Sequence, residues 1–364
     1  MDIFEVFEKN DIAEVQRLIK EEGYDVNAKD IEGKTALMLS AEKGWEKVVK
    51  LLLEKNADVN AKNIYNSNAL ILATANRHVN CVKLLLEYGV NLNLNVNATD
   101  NEGQNALMIA ASKGYTEGVT LLIEHVNLEA TDKYGKTALM LAAENLREQC
   151  INVLVDRGVD VNAKCEGGRN ALDYTFEGFS LELAELSKKN NSTTWKKEQG
   201  YKVVKFLLKA QCSLSEFVSI TRLSNSSIEK LTTTPLSSCC IMGCEEIAKL
   251  LTESYQINVN ASDNKGQTAL VWAVKNNNVA IVKLLLGVGT YLDVNCVDSD
   301  GRTPLIFATI MKYEEIKELL KEAISKSTLQ SEGGSGGDDS SAPAADGVDG
   351  AGIARDHAED IPPG

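Results

Sequence analysis

The stretch Asp30–Lys62, DIEGKTALMLSAEKGWEKVVKLLLEKNADVNAK, is the key to this chain. Its Gly33-Lys34-Thr35 looks like the end of a phosphate-binding loop. Such a loop, G-x-x-x-x-G-K-[ST], needs a glycine five residues earlier, so that several backbone N–H groups converge on the phosphates. That position holds Ala28 here and Ala130 in the second copy of the string, at Gly135. Both copies lack half the cradle, and the recurrence points to repetition rather than to a site.

Beyond this stretch the pattern returns about every thirty-three residues, starting at Asn63, Asp100, Asp132, Cys165, about Glu229, Asp263 and Asp298. Before Asp30 it fits as well, because Val15, Leu18, Ile19 and Asn27 precede Val48, Leu51, Leu52 and Asn60 by one period. That makes nine units, the first without its leading turn. The shared string is D-x-x-G-x-T-[AP]-L-x-x-A-A-x-x-G-x-x-x-[VI]-x-x-L-L-L-x-x-G-x-x-[VL]-N-A. It resembles the ankyrin repeat and covers most of residues 1–326. The resemblance implies an all-α solenoid, with a finger turn and two antiparallel helices per unit and a concave face. The residues agree with that fold. Thr35, Thr137, Thr268 and Thr303, or Asn68, Asn105 and Asn170, stand where a first helix should start, and their oxygens can cap its free N–H groups. Apolar residues at helical spacing, as in Val48, Leu51 and Leu52, mark the second helix. Gly89 and Gly158 suit left-handed C-caps. No unit could bury its apolar face alone, so stacked neighbours must share one core.

Composition narrows the function. Aromatics are only 5 % of the chain, as suits a fold packed from Ala, Leu and Val, and the net charge of −14 opposes binding to a nucleic-acid duplex. No apolar run reaches the length of a membrane span. The acidic start, MDIFEVFEKNDIAEV, lacks a signal-peptide layout. A monomer in the cytoplasm, or alternatively the nucleus, is expected, with its eight cysteines reduced.

The period breaks in four places. A finger grows by about four residues between Leu92 and Asp100, and Asn66 replaces a turn glycine, which is expected to reshape that finger. About twenty extra residues interrupt the unit at Cys165. There Leu181, Leu183, Ala184 and Leu186 could extend a helix, KKNNSTTWKK reads as a polar loop, and Trp195 is either a docking anchor or, the favoured reading, a side chain folded back on the array. A further insertion, SEFVSITRLSNSSIEKL, precedes the next unit. Residues 1–164 therefore read as regular units with an N-terminal cap, 165–262 as units with insertions, and 263–326 as regular units with a C-terminal cap. Residues 327–364 carry eight acidic residues and one arginine, and read as a disordered acidic tail.

Chemistry finds little footing. Cys239, Cys240 and Cys244 could suggest a metal, but in register they hold two small helix positions and the place of Trp45, with no second Cys or His pair nearby. His78, His125 and His357 have no evident nucleophile beside them. The expectation is a non-catalytic protein without cofactor or metal.

Ankyrin proteins generally bind partners with the finger tips and the inner side of the first helix. Carried over by position, the resemblance implies contacts at Ile31, Glu32, Lys34, Glu42, Lys43 and Trp45 in the second unit. In the third it implies Ile64, Tyr65, Ser67, Asn76 and Arg77. In the fourth they are Asn101, Glu102, Gln104, Ser112, Lys113 and Tyr115, and in the fifth Lys133, Tyr134, Lys136, Glu144 and Asn145. The expected function is a scaffold or adaptor holding another protein. An alternative comes from the similarity of the GRNAL and DSDGRTPL stretches to the ankyrin part of ribonuclease L, which binds an oligoadenylate. That points to an oligoadenylate or nucleotide sensor, with Lys34 and Lys136 attracting the anion. The finger aromatics of that family are replaced here by Lys34, Ser67, Gln104 and Lys136. A third reading is the interaction module of a longer enzyme.

Overall fold

The computed structural model describes residues 3–9, 11–21, 24–189, 192–215, 218–224, 227–254 and 257–332. The chain divides into two compact units, Met1–Ile324 and Ser325–Gly364, and the repeats lie in the first. Among the described residues the helices come in nine consecutive pairs. They are α1 (Ile3–Glu8) and α2 (Ile12–Lys20), α3 (Ala36–Lys43) and α4 (Glu46–Glu54), then α5 (Ala69–Ala75) and α6 (Val79–Gly89). Next come α7 (Ala106–Lys113) and α8 (Thr116–Leu122), α9 (Ala138–Glu144) and α10 (Glu148–Asp156), then α11 (Ala171–Lys188) and α12 (Thr194–Lys209). The last are α13 (Pro235–Met242) and α14 (Glu245–Ser254), α15 (Ala269–Lys275) and α16 (Val279–Leu286), and α17 (Pro304–Ile310) and α18 (Glu314–Glu332). The first helix of each pair packs on the first helix of the next, from α3 through α17, and the second helices stack likewise from α2 through α16.

Each first helix from α3 to α17 is capped as its sequence requires. Thr35, Thr137, Thr234, Thr268 and Thr303, with Asn68, Asn105 and Asn170, each accept an N–H of the first turn. Leu37, Leu70, Leu107 and Leu139, just inside the caps, are buried between neighbours. In the second helices Val48, Val82, Val119 and Ile151 are fully buried, so the core runs unbroken along the array.

A polar ladder ties the units together along the other edge. The Asn of each V-N-A string reaches across to the next unit's turn. Asn60 accepts the Asn95 N–H at 2.7 Å and donates to the Asn93 carbonyl at 2.8 Å. Asn162 does the same with Ser213 and Gln211, and Asn260 with Asp293 and Tyr291. In the fourth unit Glu129 takes over as acceptor for Asp160. The conspicuous Asn in the repeat is thus a coupling residue between units.

The departures resolve into specific structures. The four extra residues after α6 do not follow a left-handed cap at Gly89, because Gly89 itself completes the helix. Leu94 folds back onto it, and an added Cβ would meet the Leu94 side chain at 2.7 Å. Asn66 leaves the third finger intact, since Asn adopts the left-handed conformation readily and does so here at φ 64°. Helix α11 does extend through Leu181–Leu186 to Lys188. Trp195 does not fold back. It lies exposed in the first turn of α12, while Lys196 beside it turns inward to Glu182 and Gln199 and lies over the indole at 4.5 Å. Asn190 and Asn191 of the polar loop lie outside the described residues, as does the tail from residue 333; Ser327–Glu332 complete α18.

The second insertion is, among the described residues, the one element built of strands. It forms an antiparallel hairpin of β1 (Val218–Ser224) and β2 (Ser227–Thr233), in register Val218 with Thr233 through Ser224 with Ser227. Strand β1 packs on α11 and α13, with Val218 and Ile220 buried. Arg222, next in the same alternation, stacks over Trp272 of α15 at 5.1 Å. The hairpin therefore lies over the first helices of the sixth to eighth units.

Two substitutions test this architecture. Gly178 lies where neighbouring first helices have already ended, as at Asn145 and Asn276, and an added Cβ would run into the Glu144 carbonyl oxygen. Gly178→Ala should lower stability by about 1–3 kcal/mol, the usual range for overpacking, read as a falling melting temperature. Asn60→Ala removes both rungs between the second and third units and should cost about 1–2 kcal/mol in chemical denaturation.

Candidate partner-binding face

The fingers are built from one repeated turn. Asp30, Asn63, Asp100, Asp132, Asp263 and Asp298 each use Oδ1 to accept two N–H groups, two and four residues on, at 2.7–3.0 Å. A residue of left-handed backbone, Gly33, Gly103 or Gly135 for example, closes the turn. Neighbouring fingers are then hydrogen-bonded to one another, Ile64 N–H to Glu32, Asn101 N–H to Tyr65 and Lys133 N–H to Glu102. The tips form a braced row.

Four large apolar side chains stand out from that row. Ile31 is fully exposed, and Ile64, Tyr65 and Tyr134 are 59 %, 54 % and 55 % exposed. Tyr134 is held in place, with Lys133 over its ring at 5.1 Å and its hydroxyl donating to Glu102 at 3.4 Å. Asn76, Arg77, Asn101, Glu102, Lys113 and Lys43 are also exposed. Glu32, Lys34, Glu42, Gln104, Ser112, Lys136, Glu144 and Asn145 are half-buried in the groove wall, and Ser67 is buried.

The lysines of the wall are committed to carboxylates. Lys34 Nζ lies 2.9 Å from Glu42 and 3.1 Å from Glu32, and Lys136 lies 2.7 Å from Glu144. Arg169 and Glu177 repeat the pair in the sixth unit at 2.6 Å. Burial works against the charge on Lys34, but the two glutamates outweigh it and hold the ammonium above its ordinary value. These pairs brace each finger against its helix.

Two expected contacts are packing residues. Tyr115 is buried, with its ring over Gly118, and Trp45 is partly buried, stacked on Phe7 at 5.0 Å. Their position begins the second helix and faces the preceding unit. There His78 contacts the Glu42 carbonyl and Arg147 donates to that of Ser112. A large side chain at this place fills the gap between units, which the spacing alone does not reveal. Arg77 is similarly engaged, donating to the Lys113 carbonyl.

Sequence reading also missed the hairpin, whose only signal was the alternation Val218, Ile220, Arg222 in an insertion. It covers the first helices of units six to eight and leaves those of units two to five open. A groove of about 960 Å³ lies at the N-terminal end, between α1, the finger of the second unit and α3.

Cys239 and Cys240 are fully buried, and Cys244 nearly so. Burial pushes all three thiols up, Cys244 to about 12. Among the described residues no group of His, Cys, Asp and Glu is arranged to hold a metal ion, and no helix is long and apolar enough to cross a membrane. Cys165 differs. It takes the finger place that Asp or Asn holds elsewhere. Burial opposes its ionisation, but the Tyr174 hydroxyl, donating to Sγ at 3.4 Å, and the Arg169 and Gly167 N–H groups outweigh it and hold the thiol below its ordinary value.

Known proteins agree with this geometry. The family model for ankyrin repeats (three copies) matches residues 4–96, 92–165, 196–290 and 254–330. The chain belongs to the ankyrin repeat family, whose repeats generally serve as protein–protein interaction modules and are generally non-catalytic. It is 24 % identical over 214 residues to an ankyrin repeat protein of Acanthamoeba polyphaga mimivirus, covering 49 % of this chain and 27 % of that protein. It is 31 % identical over 78 residues to an ankyrin repeat protein of Rickettsia bellii, covering 21 % of this chain and 42 % of that one. The chain thus spans less than half the length of either relative.

A lowered thiol value means more thiolate at neutral pH, so Cys165 should alkylate at lower pH than the other cysteines. Iodoacetamide labelling across a pH series, read by peptide mass spectrometry, should give Cys165 the lowest midpoint of the eight cysteines. Tyr174→Phe should move its labelling profile to higher pH.

Proposed function

We propose that this protein is a non-catalytic scaffold or adaptor that grips another protein with the finger tips and groove of units two to five. The observation that carries the reading is the row of Ile31, Ile64, Tyr65 and Tyr134, large apolar side chains exposed on fingers that are braced against one another. Solubility alone favours polar tips, and rigid exposed aromatics are characteristic binding anchors. A standard interface of about 1,600 Å² needs only three or four such units. The eight unpaired thiols accord with a reducing compartment, and we place the protein in the cytoplasm, acting as a monomer. The sensor reading loses support from the groove wall, where Lys34 and Lys136 already neutralise Glu42 and Glu144.

The double variant Tyr65→Ala, Tyr134→Ala tests the proposal. Affinity capture of partners by the full chain should weaken about tenfold or more, as for loss of two hot-spot residues, with the melting temperature nearly unchanged. Undiminished capture, or a large fall in stability, would assign those rings to packing instead.

A further inference from the structure

We propose that the groove at the N-terminal end takes an extended segment of a partner protein in which every second side chain is apolar or basic. The inference rests on the adaptor reading and names the chemistry of the partner's contact. The groove has an apolar floor of Phe4, Phe7 and Leu39. Its rim carries Glu5, Glu8, Glu32 and Glu42. Five carboxylates and three lysines line it in all, an excess of two negative charges; Glu32 and Glu42 are paired with Lys34, so the excess is carried chiefly by Glu5 and Glu8. Glu5 and Glu8 are exposed on α1. The surface offers apolar area and negative charge side by side, which selects a partner of opposite charge.

The form of the ligand is suggested by the chain itself. On the same face of units six to eight the groove is filled, and what fills it is a strand. β1 lays Val218 and Ile220 into the first helices and sets Arg222 on Trp272. Trp272 stands four residues after its cap Thr268, as Leu39 stands four after Thr35. The register position that receives the arginine in the eighth unit is thus repeated in the second, uncovered by the hairpin, with leucine in place of tryptophan. Side chains two apart share one side of a strand, as Val218, Ile220 and Arg222 do, so apolar and basic residues at every second position meet the floor and the rim together. The C-terminal residues 327–364, with eight carboxylates and one arginine, carry charge of the same sign as this rim.

The test uses the full chain and a fluorescein-labelled peptide, Val-Ser-Ile-Thr-Arg-Ser-Val-Thr-Arg, which places Val, Ile and Arg at every second position, followed by fluorescence anisotropy. Binding should be saturable and should weaken as salt rises. The double variant Glu5→Gln, Glu8→Gln should weaken it about fivefold or more, in keeping with the loss of two opposed charges. Glu245→Gln with Glu246→Gln, which removes the same charge from the outer helix α14, should leave it unchanged. The counterpart with glutamate in place of each arginine should not bind. No saturable binding, equal losses in both double variants, or equal binding of the acidic peptide would each overturn the proposal. If the peptide fails while capture still depends on Tyr65 and Tyr134, only this inference falls. If capture ignores those tyrosines while the peptide binds through Glu5 and Glu8, the adaptor's contact map falls instead.

Discussion

Every unit in this array depends on its neighbour to bury its apolar face. A pair of helices eight or nine residues long, such as α3 and α4, cannot enclose a core, and isolated helices of that length are marginal in water. Burial of Leu37, Val48 and Leu52 is completed by the units on either side. Two polar systems fix the spacing at which that burial occurs. One is the finger row, in which Asp or Asn closes each turn and one backbone hydrogen bond passes to the next finger. The other is the Asn ladder through Asn60, Asn162 and Asn260. Stability in such an array is a sum of local terms and nearest-neighbour couplings.

The interrupted region shows how that coupling survives insertion. Helix α11 runs to 18 residues, twice the length of α4, and passes the end of α9 only because residue 178 is glycine. The added hairpin does not separate the stack. It lies on the first helices and is pinned by Val218, Ile220 and Arg222. The consequence is a loss of open groove, since Val218, Ile220 and Arg222 take up part of that face. The first helices of units two to five remain open.

The fold was legible because a period of thirty-three repeats enough positions at once that caps, turn residues and core residues identify themselves. Thr35, Asn68 and Leu37 could be assigned from register alone. The finger tips were legible too, since the exposure of Ile31, Tyr65 and Tyr134 follows from their place in the turn. Trp45 and Tyr115 were not. A large ring at the start of the second helix can face the groove or the preceding unit, and the distance between units, not the sequence, settles which. Trp195 was misread for a related reason: the start of α12 sets which of two adjacent residues turns inward, and it is Lys196, drawn to Glu182.

Local pattern was enough to specify the unit, its caps, its turns and the acidic balance of the chain, because these depend on backbone preference and composition. It was not enough to show that Lys34 and Lys136 are neutralised by the helix beside them. Nor could it show that a strand occupies the groove of units six to eight, or that an apolar floor with a glutamate rim stays open near α1. Those features exist only in the folded array. Each depends on residues distant in the chain being brought within a few ångströms, and no stretch of sequence records that approach.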